Sequence, residues 1–444
     1  MAMRTRSELT VQHPDAAGID VGGKSHFVAV PPGRSDTPVR EFGCFTEDLH
    51  AMASWLLTLG VTIVALESTG VYWVPVFEVL ESHGIAVVLV NAHNVKHVSG
   101  RKSDVLDCQW LQQLMSYGLL AAAFRPPADV CALRAVSRQR DTLLQEQARC
   151  VQRMQKALTL MNVQLANTLT DIAGQTGLAI LRAIVAGERD PQVLAKLRNY
   201  RVKASEADIA KSLEGTWKDE HLFCLGQALS LYDTYRQLIA EADAKLEALL
   251  APLRREQAQA AREAAKPKKR GGKNAPGFDV REALREWAGV DLTQIGGIDV
   301  STALKVLVEL GPDLSKFKSA KHFCSWLGVC PGTRISGGKR LSGASKRIPN
   351  RVARALKLAA QGLHHSQCGL GAYYRRMAAR LGKGKAITAT AHKLARLVYA
   401  MLTGGEEYVE QSQAQYEEKF KARTLKYLQQ KAKTLGFDLV PAAV

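Results

Sequence analysis

Residues 16–30 read AAGIDVGGKSHFVAV, and this stretch predicts two neighbouring strands joined at a glycine pair. The apolar run 16–21 breaks at Gly22-Gly23 and resumes as an alternating strand over 26–30. Asp20 lies inside the first of these strands. A carboxylate within an apolar strand costs several kcal/mol unless a partner or a cation neutralises it. Asp20 is therefore the first candidate site residue.

Three further carboxylates stand at comparable places. Glu67 closes the apolar run 62–66, and Asp104 and Asp107 are three residues apart in a predicted helix, so both point from one face. Taken singly, each has an ordinary interpretation as a helix cap or a strand-end carboxylate. Together, carboxylates from two strands and one helix predict an oxygen cage for magnesium, with two ions about 3.5–4 Å apart suiting phosphodiester chemistry.

The charge of the chain predicts a polyanionic partner. The 444 residues carry a net charge of +18 with a pI of about 9.6, which indicates nucleic acid first and a basic membrane-surface protein second. The second class is disfavoured because the basic residues do not gather on one amphipathic helix with an aromatic face. The length predicts two or three domains.

Targeting and cysteine patterns predict a reduced, cytoplasmic protein. The opening MAMRTRSELTVQHPD has no apolar signal core, and no apolar run approaches about 18 residues, so neither a secretory signal nor a membrane span is expected. The eight cysteines form no CxxC pair or Cys/His cluster. We therefore expect neither structural zinc nor a disulfide framework.

The region 15–122 alternates strands and helices in the order β-β-β-α-β-α-β-α. This order predicts an α/β domain with a mixed sheet, and an acid in the first strand is typical of a ribonuclease-H-like fold. GIDVGG is too short for a dinucleotide-binding fingerprint and lies between two strands instead of opening a helix, which argues against a Rossmann domain.

Long helices are predicted next, over 129–253. Apolar residues recur at 3–4 spacing in two stretches, which fits an antiparallel hairpin within one chain and an intermolecular coiled coil equally well. The Lys/Pro/Gly-rich segment 254–278 is predicted to be an exposed linker that either contacts phosphates or only tethers its neighbours.

The region 280–405 is predicted to be mainly helical, followed by a charged helical tail over 406–444. Backbone N–H groups at the turn Gly296-Gly297 would hold a phosphate, unless this is an ordinary turn between helices. Residues 331–360 contain eight basic residues and no acid, which predicts a flexible basic loop that leads into a nucleic-acid-binding helix from about residue 349. The eight are Arg334, Lys339, Arg340, Lys346, Arg347, Arg351, Arg354 and Lys357.

Six motifs in both halves resemble one known family. GIDVGGKSHFVAV, ALESTGVYW and GRKSDVLDCQWL resemble the RuvC-like DEDD domain of insertion-sequence transposases related to the Piv invertases. IGGIDVSTALKVLVELG, FCSWLGVCPGTRISGGKR and KAITATAHKLARLVYAMLTGGEEY resemble the C-terminal transposase domain of that family. The resemblance spans about 15–120 and 290–410, while 254–277 and the tail after about 405 have no clear counterpart.

The resemblance implies a transposase or site-specific recombinase with an RNase H-like metal site. Asp20, Glu67, Asp104 and Asp107 would hold magnesium, and Ser336 would attack the phosphodiester to leave a phosphoserine link. It further implies donor and target DNA, an element-encoded non-coding guide RNA, and a dimer or tetramer joined through the helical region. The setting would be prokaryotic, at the nucleoid.

Three alternatives remain open from the residues themselves. No histidine lies beside Ser336, and Ser342 and Ser345 lie in the same loop as rival nucleophiles. Whichever serine attacks, the charge that develops on the phosphate would be stabilised by Arg334, Lys339 and Arg340. A RuvC-like nuclease with metal-activated water and a non-catalytic nucleic-acid-binding protein are the competing functions, although four mutually repelling acids give a mere binder no advantage.

Overall fold

The computed structural model describes residues 10–68, 70–91, 103–254, 274–345, 348–405 and 413–440. The chain divides into two compact units, Met1–Arg125 and Pro126–Val444. Each unit is described by itself.

The first unit is a five-stranded mixed sheet with helices on both faces. The strand order is β3-β2-β1-β4-β5. Strand β2 pairs antiparallel with both β1 and β3, whereas β4 pairs parallel with both β1 and β5. The predicted order of three strands, a helix and then alternating strands and helices is confirmed. The elements are β1 (Ala16–Val21), β2 (Ser25–Ala29), β3 (Val39–Gly43), α1 (Thr46–Thr58), β4 (Ile63–Glu67), α2 (Trp73–Ser82), β5 (Ala86–Val90) and α3 (Asp104–Ser116).

Alternation along β1 divides its side chains between two cores. Ala17 and Ile19 are buried with residues of α1 and α2 on one face, whereas Ala16 is buried with Leu111 and Met115 of α3 on the other. Successive strand residues point to opposite faces, so the even-numbered positions of β1 face α3. Asp20 belongs to this set.

Gly18 allows α3 to lie directly on β1. A Cβ added at Gly18 would stand 2.3 Å from the backbone nitrogen of Gln112 and 2.4 Å from the carbonyl oxygen of Cys108. Both are backbone atoms of a packed helix and cannot rotate away. Only glycine fits this contact.

We therefore expect Gly18→Ala to push α3 away from the sheet and to lower the free energy of unfolding by about 3 kcal/mol. Urea denaturation measures this change. Gly23→Ala is the matched control, since a Cβ there would meet only the Tyr72 side chain, at 3.4 Å. Equal stability of the two variants would contradict the close packing of α3 on β1.

The second unit consists of helices and one short hairpin. Its elements are α4 (Ala128–Leu160), α5 (Leu165–Thr168), α6 (Gln175–Val185), α7 (Pro191–Ala195), α8 (Glu206–Ser212), α9 (Asp219–Leu250), α10 (Val280–Ala288), α11 (Val300–Leu310), α12 (Ala320–Trp326), β6 (Arg334–Ser336), β7 (Lys339–Ser342), α13 (Arg351–Gly362), α14 (Gly369–Leu381), α15 (Lys383–Gly404) and α16 (Gln413–Thr434). The mainly helical character predicted for the chain after residue 129 is confirmed.

The two longest helices pack against each other within the chain. Their far ends, together with α5–α8, enclose one apolar core that includes Met154, Leu158, Leu225 and Leu229. We call the residues 161–218 between the two helices the cap. The intrachain hairpin, one of the two arrangements predicted for this region, is therefore present.

One ion pair joins the hairpin to a helix that follows it, and a second, buried ion pair joins its two helices to each other. The Arg138 guanidinium donates two hydrogen bonds, of 2.8 and 2.7 Å, to the Glu309 carboxylate at the end of α11. Arg140 of α4 pairs with Asp243 of α9, and both are buried. The other Asp243 oxygen accepts the backbone N–H of Gly277 at 3.0 Å.

We expect Asp243→Asn to lower the free energy of unfolding by about 3 kcal/mol, because it leaves the Arg140 guanidinium buried beside a neutral group. The change is read from chemical denaturation. Asp233→Asn on the same helix removes an exposed pair with Arg182 and is expected to cost less than about 1 kcal/mol. A similar cost for both variants would contradict the assigned burial.

None of the eight cysteines, all of which lie in the described ranges, forms a disulfide in the structure.

In the ranges that the structure describes, no helix is both long enough and apolar enough to cross a bilayer.

Candidate functional site

Asp20 and Glu67 end two adjacent parallel strands on the same face of the sheet. The register of β1 with β4 aligns Ala16 with Ile63 and continues to Ile19 with Leu66, so Asp20 and Glu67 come next on the two strands. Directly aligned residues of parallel neighbours point the same way. Both acids are half-buried and face the layer that contains α3.

Helix α3 runs antiparallel to β1 and carries its first turn to the same edge. The Gln112 side chain donates to the Ala16 carbonyl oxygen at 3.3 Å, and Cys108 lies against Gly18, two residues further along the strand. One more helical turn in that direction reaches Asp104 and Asp107. The start of α3 therefore lies beside the end of β1, where Asp20 stands.

The Cys108 thiol lies close to two of these acids. Burial raises its pKa to about 12, and the nearby Asp20 and Asp107 carboxylates add to the rise because they oppose a second negative charge. Three of the four predicted acids thus gather at one sheet edge. We call Asp20, Glu67 and Asp107 the acidic edge.

Asp104 is set apart from the other three. It is exposed at the first position of α3, where the Ser103 hydroxyl caps the helix by accepting the Leu106 N–H at 3.3 Å. The ordinary role predicted for Asp104, that of a helix cap, is therefore taken by Ser103, and a carboxylate in the first turn is stabilised only by the helix dipole.

The donor chemistry of the acidic edge fits magnesium, because all its side chains are carboxylates on one face. Within the described ranges, however, no three carboxylate, imidazole or thiol groups are placed to hold one ion. Thr69 and residues 92–102, which flank Glu67 and Asp104 in the sequence, lie outside those ranges. The acids are therefore gathered, but they do not form a closed coordination shell.

Ser336 lies at the end of a short β-hairpin. It pairs with Lys339 across a two-residue turn in which Gly337 and Gly338 have φ values of 54° and 75°. Two consecutive positive φ angles favour glycine and suit a tight hairpin turn. The prediction of a flexible loop here is wrong, because the glycine pair joins two paired strands.

The rival serines are more constrained than Ser336. Ser336 is exposed, whereas the Ser342 hydroxyl accepts the Ala344 N–H at 3.2 Å and Ser345 forms a β-bridge with Pro331. Both rivals are half-buried. Ser336 is the most accessible hydroxyl of the three.

The predicted nucleic-acid-binding residues fall into two groups. Lys339, Arg351 and Arg354 are exposed, and Arg351 lies 3.9 Å from Asp141 of α4. The half-buried Lys357 is on the same helix as the two arginines. Lys346 and Arg347 lie outside the described residues, as do the side chains of Arg334 and Arg340 and the segment 255–273.

The turn at Gly296-Gly297 precedes α11, as predicted. The N-terminus of that helix already has a carboxylate, since Asp299 accepts the Thr302 N–H at 2.8 Å. This cap competes with a phosphate for the same backbone donors. Phosphate binding at the turn stays a prediction.

Sequence reasoning missed Gly18 and Gln112. The available signal was a glycine two residues before the acid, on the same face of its strand, which is typical of a close backbone approach.

Comparison with known proteins gives matches in both units. A DEDD transposase family model of the IS110 type matches residues 17–163, and the model of the transposase IS116/IS110/IS902 family matches 291–375. The chain is also 34% identical over 122 residues to the insertion element IS110 uncharacterized 43.6 kDa protein of Streptomyces coelicolor. That alignment covers 26% of this chain and 29% of the relative.

The two family matches, one to a DEDD transposase model and one to a C-terminal transposase model, identify the class as DEDD-type transposases. The chain belongs to the IS110 family of insertion-sequence transposases.

Proposed function

We propose that this chain is an active DNA transposase that cuts and rejoins strands at an insertion element, with a ribonuclease-H/RuvC-like first unit. The acidic edge is the observation that carries the proposal. Carboxylates gathered on one sheet face offer the oxygen ligands that magnesium prefers, and family membership supplies the class of reaction.

Asp20, Glu67 and Asp107, with Asp104 at the helix start, are the residues that would hold magnesium. Bound there, the metal would supply charge neutralisation at the phosphodiester and favour the ionised form of the attacking group. The role of the protein is to hold the carboxylates on rigid strands and a packed helix, so that little reorganisation is needed when DNA arrives.

Ser336 would be the nucleophile. Its Oγ loses the hydroxyl proton and forms a bond to phosphorus while the bond from phosphorus to one ester oxygen of the DNA breaks, and in net the proton passes from the serine to the departing oxygen. The energy of the cut phosphodiester is kept in the phosphoserine link, so a DNA hydroxyl can reverse the exchange and rejoin strands. Lys339, which pairs with Ser336 across the hairpin, would offset phosphate charge.

The partners in this proposal are donor and target DNA and an element-encoded guide RNA. The exposed Lys339, Arg351 and Arg354 would contact their phosphates. Synapsis of two DNA ends requires more than one copy of the chain, and a dimer or tetramer fits that need.

One observation favours a second function. In the hairpin, Ser336 pairs with Lys339, and the nearest residues in the chain offer no histidine or carboxylate as a base. A RuvC-like endonuclease that uses the acidic edge and a metal-activated water needs no base beside the serine.

A covalent-trapping assay separates the two functions. Purified protein, RNA transcribed from the flanks of the element, labelled donor and target DNA and magnesium are run on a denaturing gel. A labelled band at the mass of the protein, lost in Ser336→Ala, supports the serine transposase. Cut DNA without such a band, unchanged in the variant, establishes the nuclease instead.

A further inference from the structure

The net charge of the protein comes from one uninterrupted segment. Residues 314–405 contain 18 lysines and arginines and no aspartate or glutamate. The rest of the chain holds 42 basic and 42 acidic residues and is neutral. The acid-free segment extends well beyond the hairpin and α13, through α14 and α15.

Helices α14 and α15 place four of these cations around an aromatic centre. Arg376 and Arg380 are four residues apart on α14, and Lys393 and Arg396 are three apart on α15, so each pair shares a helix face. The Lys393 ammonium lies 4.6 Å from the Tyr373 ring centroid. We call these four cations, with Tyr373, the α14–α15 cationic face.

The last helix contributes further groups to this face. Its Tyr416 ring lies 5.3 Å from the Lys393 ammonium and edge-on to Tyr373, and its Phe420 ring stacks on the Arg376 guanidinium at 3.3 Å. Cation–π contacts therefore hold α16 in place, as expected where aromatic rings cover cations that lack carboxylate partners.

The face is electrostatically unsatisfied. Burial lowers the pKa of Lys393. The nearby Arg423 and Arg396 lower it further, because their positive charges disfavour a third one beside them. The Nη1 atom of Arg376 is buried without a hydrogen-bond partner. Across the ranges that the structure describes, no carboxylate forms an ion pair with Lys393, Arg396 or Arg376.

Such a concentration of cations costs stability unless an anion offsets it. The sequence could reduce the cost with a single acid, yet none occurs in α14 or α15. A binding function explains both the spacing of the cations and the missing acids. Because the same acid-free segment includes the exposed Lys339, Arg351 and Arg354, the anion is expected to be long and regularly charged.

We propose that the α14–α15 cationic face is a second nucleic-acid-binding surface, on which Lys393, Arg396 and Arg380 contact a phosphodiester backbone. Tyr373 and Tyr416 add rings of the kind that nucleic-acid-binding proteins interleave with cations. The face is distinct from the hairpin that carries Ser336, and most of it lies after residue 375, where the second family match ends.

The test is salt-dependent binding by the full chain without magnesium, so that no strand cutting is involved. Fluorescence anisotropy is measured with duplex DNA, single-stranded DNA and structured RNA over a sodium chloride series. The variant Lys393→Gln/Arg396→Gln is compared with Arg236→Gln/Lys245→Gln, which removes the same charges from exposed positions of α9.

We expect the first variant to reduce the slope of log Kobs against log salt by about 0.9 per lost phosphate contact on duplex, or about 0.7 on single strands. The α9 variant keeps the wild-type slope. The nucleic acid whose slope falls most identifies the natural ligand. The proposal is overturned if the first variant keeps the wild-type slope with all three nucleic acids, or if both variants show the same fall in slope. It is also overturned if polyglutamate displaces the bound nucleic acid as well as unlabelled nucleic acid does.

Two further variants guard against misfolding. Lys393→Arg/Arg396→Lys keeps both charges and is expected to keep the wild-type slope. Arg380→Gln changes an exposed side chain and is expected to give a smaller fall of the same sign. Because every readout is binding, loss of the cationic face is distinguishable from failure of the transposase reaction.

Discussion

Replacement of Ser336 by alanine is expected to reduce strand transfer by on the order of 10⁴-fold or more, since removing an enzyme's nucleophile has effects of this size. DNA binding is expected to be unchanged, because the exposed hydroxyl makes a negligible contribution beside the cations around it. Single-turnover cutting of labelled donor DNA measures the first effect, and anisotropy measures the second.

Ser342→Ala and Ser345→Ala are the matched controls in the same hairpin region. Both hydroxyls are half-buried in local structure, and we expect activity within a small factor of wild type. Loss of strand transfer in either control, with Ser336→Ala still active, would move the nucleophile to that residue. Equal loss in all three would indicate that the hairpin matters only as a scaffold.

Asp20→Asn is expected to lower DNA cutting by about 10³-fold while binding and folding are retained. Asparagine keeps the shape of the side chain and one oxygen acceptor, so β1 and α3 remain packed, but the charge that the acidic edge would offer a cation is lost. Magnesium titration is the sharper measurement, because a weakened metal site requires more ion for the residual rate.

Asp36→Asn, on an exposed loop of the same unit, removes an equal charge and is expected to cut normally. Normal cutting by Asp20→Asn would refute the acidic edge as the catalytic centre. Glu67→Gln and Asp107→Asn are expected to follow Asp20→Asn. Asp104→Asn tests whether the exposed first residue of α3 belongs to the site or only interacts with the helix dipole.

The first unit was predictable because its pattern is local. Alternation in 26–30 and the apolar runs that end near Asp20 and Glu67 specify strands, and sequence order was enough to place the acids on two strands and one helix. What the sequence could not give was the pairing register of β1 with β4, since strands that are far apart in the chain pair through tertiary contacts.

Two features of the second unit escaped prediction for related reasons. Serines and glycines around Ser336 suggested a loop, but Gly337-Gly338 is also a tight-turn pair, and cross-strand pairing decides between the two. The cationic face draws on α14, α15 and α16, so Lys393 and Tyr416 meet only after the helices pack. The sequence located a basic run at 331–360, but it could not show that cations of α14 and α15 meet around Tyr373.

The α4–α9 hairpin has a mechanical consequence. Its base is fixed by Arg138 with Glu309 and by Arg140 with Asp243, whereas the cap is some 20 residues, or about 30 Å, further along α4. A rotation of about 10° at the base would displace the cap by about 5 Å along its arc. We therefore expect the paired helices to move as a lever whose pivot lies at the Arg138–Glu309 and Arg140–Asp243 ion pairs.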